Sequence, residues 1–576
     1  MLFDTETGSL RRICLGAQEA VRAVLAAVRD QNWDTVECAV RDVRVATDRE
    51  SFVVTFDAES ERSPIGFRWD GRITGDSCGT IEYAFRGRAT SDFLRNRIGL
   101  CVLHPIRECS GCECVIEQTD GASVRGTFPR WIAPHQPFGC LRAITHVLPC
   151  GTGVRVSMSG ETFEMEDQRN WGDASFKTYC TPLARPFPVR IEAGTVLEQT
   201  VRIELAGDVR TPESVIDGPP VIRVNWDRPV VRPPVGFLLA DPAIHLPPAV
   251  TEALRHLKPD HLRLDVRLSE EGWQAPWQGA VDLCRTTGAA LEVALFVDER
   301  AGTAWKELQS LIEHGDVPIA RCLLFHVAEK TTPASLTAAA IDRVRKLGST
   351  IPLVVGTDAY FAELNRGRPE AATSRLVCFS FNPQVHASDD LSLSETLEAL
   401  PEMIDSAHHL SGAEVVVSPV SFRPRFNPNA TAKPLPEAER RRLAIDPRQA
   451  SGFGAAWTVG VLSRLLPHPH LNSLTIYEAS GPRGVVGDLG EWYPLTAVFR
   501  EVLQCGRLFE AHSSRPLEVV AVAAERPDGR RIVLLANLSV ERHAACIADS
   551  RGMPPKHDVV IDREMVQLVT VGEDGR

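Results

Sequence analysis

Between residues 36 and 205, hydrophobic and polar positions alternate in short runs (51–56, 66–72, 80–85, 154–157 and 200–205) set off by Gly, Asp and Ser turns. Period-two alternation with frequent turn residues predicts an N-terminal β-sandwich. Residues 17–29 break the pattern. Their apolar positions recur at helical spacing and predict a helix before the sandwich.

From 235 onward the texture changes to apolar runs alternating with helical stretches. The runs are VGFLLA at 235, HLRLDV at 261, LEVALFV at 291, IARCLLFHV at 319, IPLVVGT at 351, LVCFSFN at 376, EVVVSPV at 414 and SLTIYEA at 473. Continuous apolar strands suit a parallel sheet covered on both faces. The stretches 249–257, 276–287, 304–314, 333–347, 393–410 and 450–466 supply crossover helices. Eight such units in one run predict a closed (β/α)8 TIM barrel rather than an open sheet. Alternating strands at 517–523, 531–538, 559–562 and 566–571 then predict a small C-terminal β-domain. The Pro-rich DGPPVIRVNWDRPVVRPPVG reads as an extended connector. The expected division is therefore a multidomain chain, α/β and β: sandwich 1–215, linker 216–234, barrel 235–505 and β-domain 506–576.

Composition narrows the function classes. With 44% hydrophobic and 24% charged residues in 576, the chain has the make-up of a soluble protein of several domains. Its net charge of -12 is spread without basic blocks, so no nucleic-acid partner is expected. The N-terminus lacks the pattern of a signal peptide and no apolar run is long enough to span a membrane, which predicts a cytoplasmic protein without a membrane partner. Oligomeric state is not legible. The fifteen cysteines read as reduced thiols. Cys109, Cys112 and Cys114, near His104, have C-x2-C-x-C spacing without a second pair, which reads as a thiol-rich turn rather than a zinc site. No metal-ligand, phosphate-loop, dinucleotide or nucleophile-elbow motif falls on a suitable turn, and neither metal nor cofactor is expected.

In a TIM barrel the residues ending each strand face the active-site mouth. The second run ends in Asp265 and Arg267, the third in Asp298, the fourth in His326 followed by Glu329, and the fifth in Asp358 and Tyr360. The sixth gives Asn382, Gln384 and His386, the seventh Ser421, Arg423 and Arg425, and the eighth Tyr477 and Glu478. Opposed carboxylates divide acid and base roles when burial and mutual repulsion separate their pKa values. Glu329 and Glu478 are the leading pair. Each has a plainer reading, Glu329 as a first-turn acid of the next helix and Glu478 as an ion-pair partner of Arg423 or Arg425. His326 reads equally as a buried structural histidine, and Asp358 as the N-cap of a helix over 359–366.

The stretch from Glu329 through IPLVVGTDAYFAELNRGRP to FSFNPQVHA resembles the retaining glycoside hydrolases of clan A. There a glutamate after the fourth strand is the acid/base and a second glutamate, ending the seventh, the nucleophile. Here the seventh run ends in SPVSFRPRFNPNAT, with arginines in place of that carboxylate. A guanidinium there suits an oxyanion or a carboxylate product. The segments EMEDQRNWGDASFKTYCTPLARPFP (164–188), RNRIGLCVLHP (95–105), SPVSFRPRFNPNAT and FNPQVHA together resemble the bacterial D-apionate lactonase family over nearly the whole chain. The resemblance implies hydrolysis of D-apionolactone in apiose catabolism. It assigns no residue roles. Within 164–188, Glu166, Asp167, Arg169, Asn170, Trp171, Asp173, Lys177 and Tyr179 read either as an ion-pair network or as groups reaching the barrel mouth.

The expected chemistry is opening of a sugar lactone by water. Glu329 or Glu478 acts as base and the other as acid, Arg423 or His386 stabilises the oxyanion, and Asp265, His326, Asp358, Tyr360, Asn382, Gln384, Arg425 and Tyr477 contribute to holding the substrate. The rivals are a clan A type glycosidase releasing apiose or another pentose, and a non-catalytic carbohydrate-binding barrel.

Overall fold

The computed structural model describes residues 1–210, 218–239, 246–315, 318–348, 350–369, 374–429, 436–549 and 557–571. The chain divides into two compact units. One takes in Met1–Arg169 and Ala174–Asp217 with the short piece Asn429–Pro434, and the other Asn170–Asp173, Gly218–Pro428 and Leu435–Arg576.

The first unit is built on one 16-stranded sheet. The sheet folds back on itself: Leu100 N, on Phe93–Pro105, donates to the Gln199 side chain at 2.7 Å, although Val196–Ala206, which carries Gln199, is not a neighbouring strand. Between the layers lie Phe56, Trp69, Tyr83 and Phe85. The helix expected at 17–29 is instead a strand, Gln18–Asp30, paired antiparallel with Leu10–Leu15 and Phe93–Pro105. Leu15 and Gln18 are register partners across a turn that contains Gly16 at φ 58°, a positive angle that glycine supplies at little cost. Most of the strand is buried, so the period-two signal is absent, and tertiary pairing overrides the helix preference of its alanines.

In the second unit the expected connector is also a strand. Val221–Val231 lies inside the C-terminal sheet, antiparallel to Arg507–Ser513 and parallel to His543–Asp549. Its alternation, Ile222, Val224 and Trp226 inward, feeds the core formed with Phe509, Val533, Leu535 and Ile547. Pro229 is accommodated at a register shift between Val224 and Pro229, where the ladder is already broken.

The barrel is closed. Its strands are β1 (Val235–Leu239), β2 (His261–Arg267), β3 (Ala290–Val297), β4 (Ile319–His326), β5 (Leu353–Tyr360), β6 (Leu376–Phe381), β7 (Glu414–Val420) and β8 (Leu471–Glu478). Each pairs in parallel with the next, and β8 with β1. The helices are α1 (Pro248–Leu257), α2 (Gln274–Thr287), α3 (Ala304–Gly315), α4 (Ala334–Leu347), α5 (Phe361–Gly367), α6 (Ala399–Ser411), α7 (Gly452–Leu465) and α8 (Pro494–Leu503). Helix α7 is apolar nearly all round because it is covered twice, by the barrel and by strands Val519–Glu525 and Arg531–Asn537 of the C-terminal sheet.

Half of the barrel interior is apolar, with Ala294, Phe296, Leu323, Phe325, Val354, Cys378 and Val416 in one cluster. The other half is a polar ladder. His261 Nε2 meets Thr475 Oγ1 at 2.8 Å, and Thr475 donates to Glu292 at 2.7 Å. Glu292 also accepts from Arg321 at 2.7 Å and from Ser418 at 2.5 Å. Above it the fully buried Arg263 donates to Asp265 (2.8 Å), Asp358 (2.6 Å) and the Ser418 carbonyl (2.7 Å). Gly236 makes room for this ladder: a Cβ there would lie 2.2 Å from the His261 carbonyl and 2.4 Å from its ring.

Burial alone pushes the Glu292 carboxyl up, but His261, Arg321 and Arg263 outweigh it and hold it at about 2, below its ordinary 4.5. A carboxyl depressed by folding stabilises the fold above its unfolded pKa and loses that contribution as pH falls through its folded one. The shift corresponds to on the order of 3 kcal/mol. Thermal unfolding followed against pH is expected to show stability falling from about pH 4.5 towards 2, with the slope reduced in Glu292→Gln. Replacing Arg263 by Met strands Asp265 and Asp358 and is expected to cost about 3–5 kcal/mol in denaturant unfolding.

Candidate functional site

At the C-terminal ends of the barrel strands the polar ladder opens into a pocket. Leu238 of β1, Pro419 and Val420 of β7, Ser421, Phe422, Arg423 and Arg425 after β7, Tyr477 and Glu478 of β8, and Ala444, Gln449 and Arg483 line it. Tyr477 turns the chain here. Its φ is 59°, rare for a residue with a side chain, and such a residue costs of order 1–3 kcal/mol. The turn starts a tight loop in which Glu478 N donates to the Arg483 carbonyl at 3.1 Å and Val485 N to the Glu478 carbonyl at 2.9 Å. That loop folds Arg483 back onto Glu478, where the two side chains form an ion pair. Burial pushes the Glu478 carboxyl up, and the guanidinium charges of Arg483, Arg441 and Arg425 only partly offset it.

Arg425 joins this pocket to the barrel interior. Its guanidinium donates to the Asp358 carboxylate at 2.6 Å and to the Asp358 carbonyl at 2.9 Å, while Arg263 holds the same carboxylate from below. Burial pushes Asp358 up, but Arg425 and Arg263 outweigh it and keep the carboxyl below its ordinary value. Asp358 is thus a bridge between two arginines. The helix N-cap expected of it is taken by Tyr360. Asp265, a third of its surface exposed, shares Arg263 and lies 3.9 Å from Arg425.

A second cluster secures the loops after β6 and β7. Asp446, nearly buried, accepts from Arg448 at 2.6 and 3.0 Å, from Gln384 at 3.0 Å and from Arg423 at 3.3 Å. Burial raises its pKa, but Arg448 and Gln384 hold it at about 2. Gln384 also donates to the Phe422 carbonyl at 2.7 Å, tying the two loops together. Its role is therefore positional.

Other expected residues fare differently. Glu329 is exposed on the loop after β4 and is not brought to the Glu478 pocket, so the expected carboxylate pair does not assemble there. It is not in the first turn of a helix either, since α4 begins at Ala334. His326 accepts from the amides of Ala328 and Glu329 at 3.2 Å and so shapes that loop. The Tyr477 hydroxyl is buried and hydrogen-bonded to Thr458 at 3.0 Å. The Tyr360 hydroxyl donates to the Phe426 carbonyl at 2.7 Å, and Asn382 is buried with its oxygen accepting from Gln384 N at 3.0 Å. His386 meets Asp173 at 2.6 Å and, like Glu329, is not among the residues lining the Glu478 pocket.

The 164–188 motif divides in two. Asp167 pairs with Arg169 at 2.6 Å, Glu166 with Lys177 at 3.2 Å, and Tyr179 donates to Glu164 at 2.6 Å, all within the first unit. Asn170–Asp173 belong to the second unit. Arg483, Gln449 and Asp446 were not legible as site residues because they lie in loops rather than at strand ends. Among the described residues no group of three or more His, Cys, Asp or Glu is placed to hold a metal, and no helix is long and apolar enough to cross a membrane.

The fold and site define a (β/α)8-barrel protein flanked by β-domains, with a carboxylate set among arginines at its mouth. Residues 1–208 match the family model of the D-apionate lactonase N-terminal domain, and residues 235–507 that of the D-apionate lactonase TIM barrel domain. The chain is 30% identical over 557 residues to the D-apionate lactonase of Brucella anthropi, spanning 91% of this chain and 90% of that one. The chain belongs to the D-apionate lactonase family. Among solved structures, a GH51 arabinofuranosidase from Xanthomonas axonopodis pv. citri aligns at TM-score 0.41 with 12% identity, over 62% of this chain and 95% of that one. A GH30 endoxylanase from Clostridium papyrosolvens aligns at 0.38 with 9% identity, over 61% and 96%.

Because Arg483 favours the ionised form of Glu478, Arg483→Gln is expected to raise the Glu478 pKa further. Carboxyl 13C NMR titration of the two proteins measures it, and an unchanged midpoint contradicts the pairing.

Proposed function

We propose that the barrel mouth opens a sugar-derived lactone with water, and that D-apionolactone, giving D-apionate, is the substrate. The observation that carries this reading is Glu478, a buried carboxyl with a raised pKa, held among Arg483 and Arg425 at the strand ends of a D-apionate lactonase family barrel.

Ester hydrolysis needs a base for the attacking water, positive charge for the oxyanion and a proton for the leaving oxygen. In this scheme His386 takes the proton as the water oxygen bonds to the ring carbonyl carbon. Arg425 and Arg483, cations whose positions are set by Asp358 and Glu478, stabilise the developing oxyanion and afterwards the product carboxylate. When the ring C–O bond breaks, Glu478, whose carboxyl burial biases towards the protonated form, gives a proton to the departing alkoxide. Solvent carries the proton from His386 back to Glu478, and both groups return to their starting states. Arg423, fastened by Asp446, borders the same pocket. In this scheme Asp265, partly exposed beside Arg263, meets a substrate hydroxyl. No step calls for a cofactor. A cytoplasmic setting fits the fifteen free thiols.

A panel of aldonolactones including D-apionolactone, followed by acid release, is expected to give turnover with D-apionolactone preferred. Aryl pentosides in the same assay are expected to stay intact. Glu478→Gln is expected to lower kcat/KM by about 10²–10⁴-fold, whereas Glu329→Gln stays close to wild type. Wild-type turnover in Glu478→Gln sinks the assignment, and cleavage of the pentosides without acid release from lactones sinks the reaction class.

A further inference from the structure

From the geometry of residues 170–173 we infer that Asp173 is the positioning residue that sets His386 up as the general base. The inference rests on the lactone reading for its chemistry, but not for its geometry.

His386 Nδ1 and Asp173 Oδ2 are 2.6 Å apart, with the two side chains 18% and 17% exposed. An ionised carboxylate only accepts hydrogen bonds, so the ring nitrogen facing it carries the proton. A neutral imidazole with its proton on Nδ1 has its lone pair on Nε2, the form a general base needs.

Four contacts fix the segment that delivers this carboxylate. Asn170 Oδ1 accepts from Asn365 of α5 at 2.9 Å. Trp171 stands edge-on to the His386 ring, 5.4 Å between centroids and 86° between planes, with the Arg366 guanidinium 5.2 Å from its own ring centre. Gly172 lies so close to Phe381 at the end of β6 that a Cβ would come within 2.2 Å of that ring, and its φ of 90° suits glycine alone. The loop bearing His386 is tied in turn to the pocket through Gln384, Phe422 and Asp446. The charged groups on the elements around the imidazole include Asp173 itself, Arg366 across Trp171, and Arg448, which is held by Asp446 and Asp390 and donates to the Ser388 carbonyl. A purely structural ion pair requires neither a fixed ring plane nor a fixed tautomer. The edge-on tryptophan supplies the first and the carboxylate the second.

Asp173→Asn keeps the volume but removes the charge. Its kcat on D-apionolactone is expected to fall about 10²–10⁴-fold with KM within about threefold. Asp173→Glu is expected to recover part of the rate. Independently of turnover, 15N NMR of histidine-labelled wild-type protein at neutral pH is expected to show His386 protonated on Nδ1. Asp173→Asn with wild-type kcat, or a His386 ring protonated on Nε2 in the wild type, overturns the inference. A wild type that opens no lactone in the panel overturns the lactone reading instead, and the ring tautomer then decides the Asp173 assignment alone.

Discussion

The site depends on one buried guanidinium. Arg263 stands inside the barrel with no exposed surface, and its donors are spent on Asp265, Asp358 and both oxygens of Ser418. A charge there is expensive unless fully partnered, and the partners are what give it consequence. Asp358, held from below by Arg263, holds Arg425 from above. Arg425 then stands in the Glu478 pocket with its orientation already decided. The barrel core thus extends into the mouth through alternating charges, and the electrostatics of the pocket are set by packing rather than by loop position alone. Preorganised charge of this kind needs no rearrangement during reaction.

The same view explains what was legible in the sequence. Eight apolar runs with intervening helical periods were enough for the barrel, because strand and crossover lengths are dictated by burial on both faces. The polar ladder was present too, as His261, Arg263 and Asp265 alternating in β2, Glu292 in β3 and Arg321 in β4, but single polar residues inside apolar runs carry no signal of where their partners lie. The two misread segments, 17–29 and 221–231, share a cause: each is a strand whose identity comes from neighbours far away in sequence. Alanine and proline content speak only to local preference, and long-range pairing overrode both.

For the candidate site, strand-end reasoning pointed to Glu478, Arg423 and Arg425, which line one pocket because barrel topology sends those positions to one face. It did not point to Arg483, which a loop brings in, and Glu329, its other leading carboxylate, lies outside that pocket. A carboxylate following the fourth strand looks the same in sequence whether its loop turns inward or outward. Here the His326 ring binds the loop amides and Glu329 is left in solvent.

Arginines rather than a carboxylate follow β7, and they set the chemistry that the mouth favours. Double displacement at an anomeric carbon needs two carboxyl groups about 5–5.5 Å apart, one ionised to attack and one protonated to donate. In this pocket the described carboxyl is Glu478, and cations surround it. Cations oppose a glycosyl cation developing in the transition state, whereas they favour the negative charge that develops on a carbonyl oxygen and remains on a carboxylate product. Burial and guanidinium charge also act on Glu478 in opposite directions, and burial prevails, so its pKa lies above the ordinary value. A carboxyl so placed suits proton donation to a leaving alkoxide better than nucleophilic attack. In the proposed scheme the base therefore comes from elsewhere, and His386, hydrogen-bonded to Asp173, takes that part as a group that is neutral before it accepts a proton.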